Sequence, residues 1–116
     1  MEQNTMNLLS KIESKWYNFY FYDAYFQFER KKFFRRIRDD IRYTNIIEIK
    51  SKVVTVNFMP CYTFTLILEG KKKVDIVANF KPQLEVVDKA LSIIKSKRTD
   101  MLMKEYNEKN NSQNKD

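Results

Sequence analysis

Six basic side chains fall within nine consecutive positions of this 116-residue chain: Arg30, Lys31, Lys32, Arg35, Arg36 and Arg38. Phe33 and Phe34 interleave them. Guanidinium forks take phosphate oxygens two at a time, and aromatics can stack on unpaired bases or wedge among lipid headgroups. This composition points to a phosphate-bearing ligand. The structural alternative is a solvated edge strand whose charges discourage aggregation, but the density exceeds what solubility needs. A second cluster, Lys71, Lys72 and Lys73, follows the only glycine, Gly70. A turn tip there offers ammonium groups and free backbone N–H groups to phosphate oxygens; alone it reads as an ordinary exposed turn.

Other chemistries lack their residues. The chain has no His, so it has no imidazole base, no His metal ligand and no switch near neutral pH. One Gly builds neither a P-loop nor a dinucleotide loop. One Cys, Cys61, makes neither an internal disulfide nor a zinc cluster; it is expected to be a small buried or half-buried side chain. The carboxylates Asp39 and Asp40 are adjacent, so on a strand they point to opposite faces and share no acid/base site. A turn is their expected place. Lys95, Lys97, Arg98 and Lys104 read as a solvated helix face. These counts predict a non-enzyme with no cofactor and no metal: a basic, aromatic-rich binding module with net charge +7.

The elements that must carry the clusters follow from periodicity. Leu8, Leu9, Ile12, Trp16 and Phe19 recur at helical spacing and predict a helix over 5–19, capped by Thr5, with Trp16 in the core. Residues 24–30 alternate as a strand, with Ala24, Phe26 and Phe28 on one face. The segment 30–38 suits a strand, a helical turn or a loop. Residues 45–58 predict one or two strands, interrupted at Met59-Pro60. Residues 62–68 and 72–80 read as a hairpin turning at Glu69-Gly70, with Val74, Ile76, Ala78 and Phe80 inward. Pro82 marks a helix start, and Leu84, Val87, Leu91 and Ile94 form its apolar stripe through about Tyr106. The expected domain is 1–106, with 107–116 a disordered polar tail. The fold class is α+β: a two-layer α-β-β-β-α arrangement, one antiparallel sheet with two helices on one face. The polar N-terminus is no signal peptide, and the longest uncharged run, Val53 to Leu68, falls short of a bilayer span. A cytoplasmic location is expected.

Three pieces resemble the 14-kilodalton subunit family of the signal recognition particle. They are Leu8-Leu9-Ser10-Lys11-Ile12 leading to Ala24–Lys31, the turn Glu69-Gly70-Lys71-Lys72-Lys73, and the closing helix with Ala90-Leu91-Ser92. An extra strand-like stretch, Ile46 to Val56, departs from the family pattern. The resemblance implies an α-β-β-β-α fold, a heterodimer with the 9-kilodalton subunit, and structured Alu-type RNA on a shared basic surface. It also implies an indirect role at the ribosome, slowing elongation during protein targeting. Arg30, Lys31, Lys32, Lys71, Lys72 and Lys73 are the RNA contacts it implies; Arg35, Arg36 and Arg38 extend that set on charge.

The alternative is a pleckstrin-homology-like module on an acidic membrane surface, or binding a protein partner. Residues 41–97 resemble its hairpins and closing helix. Lys31, Lys32, Arg35, Arg36 and Arg38 would then meet lipid phosphates, and Phe33 and Phe34 would insert. Against it, such a fold needs about seven strands, with residues 5–19 extended, whereas their apolar spacing is helical. A structural subunit of a larger assembly, its charge merely solubilising, is the third reading.

Overall fold

A computed structural model describes residues 8–32 and 34–113. It contains seven strands and one long helix. The strands are β1 (Ser10–Glu13), β2 (Tyr17–Phe21), β3 (Tyr25–Lys32), β4 (Arg35–Arg42), β5 (Ile46–Val56), β6 (Met59–Leu68) and β7 (Lys73–Ala78). The helix is α1 (Lys81–Gln113). The strands form two antiparallel meanders, β1-β2-β3-β4 and β5-β6-β7. This overturns the two-helix α-β-β-β-α expectation, with its single sheet and both helices on one face. Seven strands closed by one C-terminal helix is the element count that the pleckstrin-homology-like alternative called for.

The predicted first helix is a hairpin. Ile12 and Phe19 lie seven residues apart, which is two turns of a helix. The same interval makes them direct partners across the β1–β2 turn. One spacing satisfies both periods, and the aromatic run Tyr17–Phe21 favours strand. Ser14 holds the turn: its Oγ accepts from the Trp16 and Tyr17 N–H groups and donates to the Tyr17 carbonyl. Trp16 is therefore a half-buried turn residue beneath the Lys15 ammonium, not a core residue. The predicted cap, Thr5, lies outside the described residues.

Alternation sorts the first sheet. Phe19, Phe21, Phe26, Phe28 and Ile41 share one face and are buried. The Phe19 and Phe28 rings stack with centroids 5.1 Å apart. From the second sheet come Leu66, Leu68, Val74, Ile76 and Ala78, and from the helix Val87, Ala90, Leu91 and Ile94. Burying one such aliphatic side chain contributes roughly 1.5–3 kcal/mol. Val74, Ile76 and Ala78 face inward as their alternation predicts, whereas Phe80 is about half exposed.

Pro60 does not interrupt the chain: it lies inside β6, opposite Thr55. β7 stops at Ala78, opposite Tyr62. Beyond that point β6 has a partner on one side only, which is where a strand tolerates proline. Pro82 sits in the first turn of α1 as expected, and the Gln83 side chain accepts from the Asn79 N–H. The helix continues through residues 107–113 of the expected tail. Side chains from Lys104 to Lys109 are exposed. Among the described residues, no helix is long and apolar enough to cross a membrane.

Candidate anion-binding hairpin

The segment left open between strand, helix and loop is a β-hairpin. β3 and β4 pair from Tyr25↔Arg42 to Lys32↔Arg35, so the basic residues climb both arms of one ribbon. Strand alternation then divides them. Arg30 and Arg35 belong to the row of Phe26, Phe28 and Ile41, which points toward the second sheet. Lys31, Arg36 and Arg38 belong to the opposite, solvent row. Phe34 forms the tip and is fully exposed, at 103%. Phe33 lies outside the described residues.

Arg30 is a strut rather than a free ligand group. Its guanidinium stands 5.6 Å from the centroid of the Phe28 ring. It lies 3.7 Å from an Asp39 carboxylate oxygen and donates to the Asp75 carbonyl at 3.4 Å. That Asp39 oxygen is buried and accepts no hydrogen bond among the described residues. Arg30 is thus its nearby compensating charge. On the solvent row, Arg36 and Arg38 each approach Glu29 at 3.9 Å. Lys31 and Arg35 are exposed and, among the described residues, have no ion-pair partner. Among the described side chains of this hairpin, they are the cations left unpaired for a ligand.

Asp39 and Asp40 sit mid-strand, opposite Phe28 and Gln27, rather than in a turn. They point to opposite faces, as adjacent strand residues must. Among the described residues, no group of three or more His, Cys, Asp or Glu side chains could hold a metal ion. Cys61 is half-buried, and its thiol donates to the Asn79 side-chain oxygen.

Lys71, Lys72 and Lys73 lie on the other sheet, at the β6–β7 turn. The Leu68 N–H donates to the Lys72 carbonyl to close it. Gly70 has φ +82° and Lys71 φ +65°, so two successive residues are left-handed. All three lysines are exposed. Tyr17 of β2 bonds Val77, and Arg30 of β3 bonds Asp75. Stepping from β2 to β3 thus steps back along β7, so the chain entering β7 arrives from the β4 side. The lysine turn and the β3–β4 ribbon therefore flank the same side of the sandwich.

Sequence reading missed a second exposed feature, the tip of the β5–β6 hairpin. Asn57 and Phe58 link Val56 to Met59 with φ +51° and +65°, the signs of a type I′ turn. Phe58 is 98% exposed. Val56, Met59, Pro60, Cys61, Asn79 and Phe80 line a shallow depression of about 310 Å³ beside it. Asn57, a residue type that tolerates positive φ, was the available signal.

No protein-family model matches this chain, and no curated protein or solved structure matches it.

Proposed function

We propose that the chain is a pleckstrin-homology-like interaction module that docks on acidic membrane surfaces through its β3–β4 hairpin. The observation that carries this reading is Phe34, fully exposed at the tip of a ribbon whose arms carry Lys31, Arg35 and Arg36. An exposed aromatic over a basic collar suits the boundary between acyl chains and anionic headgroups. Lys71, Lys72 and Lys73 add charge on the same side. The seven strands and single C-terminal helix support the module reading by analogy of architecture. A helix at 5–19 packed beside the last helix would favour the RNA reading; among the described residues, Ser10–Glu13 and Tyr17–Phe21 form a hairpin there instead.

The test is co-sedimentation with phosphatidylcholine vesicles, with and without phosphatidylserine. Retention is expected only on the anionic vesicles and is expected to fall as salt rises. Phe34→Ser is expected to lower partitioning about tenfold, or ~1.4 kcal/mol. Lys31→Glu with Arg35→Glu is expected to abolish it. Equal retention on neutral vesicles would overturn the proposal. Saturable, salt-sensitive binding of folded RNA with no vesicle retention would return the ribbon to the RNA reading.

A further inference from the structure

The edges of the second sheet are treated differently. On β7, the Asp75 carbonyl takes the Arg30 guanidinium, and both backbone groups of Val77 bond the Tyr17 hydroxyl. On β5, Arg98 covers only the beginning, donating to the Ile46 carbonyl at 2.7 Å and to that of Ile47 at 2.9 Å. From Glu48 to Val56, β5 pairs with β6 on one side. Among the described residues, nothing hydrogen-bonds its other side. Except for half-buried Ile49, every residue of that stretch is exposed.

A long open edge offers a row of unpaired N–H and C=O groups to an incoming strand. Here its side chains are graded. One face reads Lys50, Lys52, Val54, Val56 toward the tip, and Val54 and Val56 lie opposite Cys61 and Met59. The lysines bear on self-pairing. An antiparallel second copy centred on Ser51 or Lys52 sets lysine opposite lysine, which is destabilising. A copy centred on Ile49 or Lys50 would match Glu48 with Lys50 or Lys52, but it extends the pairing onto the carbonyls that Arg98 occupies. The edge is thus guarded against its own kind over its basic half. It remains complementary to a strand carrying carboxylates there and apolar groups toward the tip.

We infer that the β5 edge binds an extended peptide segment of a partner protein by antiparallel strand addition. The peptide reads, from its N-terminus, apolar, any, apolar, any, acidic, any, acidic. Its apolar residues face Val56 and Val54 and its carboxylates face Lys52 and Lys50. This surface is separate from the β3–β4 hairpin and does not depend on the membrane reading.

The probe is a fluorescein-labelled peptide containing Val-Thr-Val-Thr-Glu-Thr-Glu, titrated with the full chain and read by anisotropy. Saturable binding is expected, with new amide-exchange protection confined to Glu48–Val56. Lys50→Glu with Lys52→Glu alters two exposed side chains and is expected to weaken binding about tenfold. A probe with lysines in place of its glutamates is expected to regain affinity for that variant. Circular dichroism checks that the variant is folded. The inference is overturned by no saturable binding, by affinity indifferent to the charge reversal, or by protection elsewhere. Concentration-dependent self-association that protects Glu48–Val56 without peptide would overturn it in favour of a second copy.

Discussion

The Tyr17 hydroxyl serves both backbone groups of Val77, donating to the carbonyl at 2.6 Å and accepting from the N–H at 3.2 Å. One phenol on the first sheet thus substitutes for a missing strand on the outer edge of β7. Tyr17→Phe keeps the ring and its contact with Phe28 but strands two backbone groups. We predict a loss of about 1–3 kcal/mol in urea unfolding. The Val77 amide should lose exchange protection first. An unchanged midpoint would mean that water replaces the phenol without loss.

Alkaline pH should destabilise the fold through one buried phenol, Tyr43, and one half-buried phenol, Tyr17. Burial, with the Asp23 carboxylate second, holds Tyr43 above the ordinary value of 10.0, against the opposing hydrogen bond to the Tyr22 carbonyl. Burial likewise raises Tyr17, opposed by its bond to Val77 and by the Arg30 charge. The folded state therefore keeps these protons longer than the unfolded chain does. Their contribution is fully present below the unfolded value and is lost as pH rises through it toward the folded values. Urea midpoints measured from about pH 9 to pH 11 should fall, and less steeply in Tyr43→Phe. A flat profile would contradict the assignment.

The two strained turns should respond with opposite signs. A Cβ at Gly70 meets nothing within 4 Å, so Gly70→Ala is penalised by its φ of +82° alone. It should lose about 1 kcal/mol. Phe58→Gly relieves a left-handed aromatic at a type I′ turn and should gain about 0.5–1 kcal/mol. Chemical denaturation of both variants reads the pair. A destabilised Phe58→Gly would show that the ring contributes to the fold.

The basic ribbon should separate by face. Arg30→Ala removes the charge beside the buried Asp39 oxygen, and both side chains are partly exposed. After allowance for solvent screening it should lose about 1–2 kcal/mol. Arg36→Ala and Arg38→Ala loosen 3.9 Å surface contacts to Glu29 and should each change stability by less than about 1 kcal/mol. Thermal unfolding of the three variants gives the ranking; equal losses would remove the distinction between strut and surface charge.

The returning hairpin and the final helix were legible because their signals agree. Gly70 sits at the turn, Val74, Ile76 and Ala78 alternate without a break, and Pro82 precedes a stripe at Val87, Leu91 and Ile94. The N-terminal segment was not, because Ile12 and Phe19 fit either period. Both basic clusters were visible as clusters. Their division by face was not, because it required knowing that 30–38 is a ribbon. Nor could sequence show that Arg30 is already engaged, since Asp75 is 45 residues away. The free edge of β5 was hidden for a similar reason. An edge is defined by which strands fail to arrive, and local patterning carries no trace of that.

Among the described residues, every strand pairing joins neighbours in sequence. Side-chain hydrogen bonds that tie distant parts together span much longer intervals: 60 residues from Tyr17 to Val77, 45 from Arg30 to Asp75 and 52 from Ile46 to Arg98. Hairpins close in microseconds, whereas contacts of that span must first overcome the entropy of the intervening chain. The slow event in folding should then be the docking of two meanders already formed, with the helix clasping them last. Tyr17→Phe should accordingly speed unfolding and leave the refolding rate nearly unchanged in stopped-flow measurements. Slowed refolding would place the inter-sheet contact in the nucleus instead.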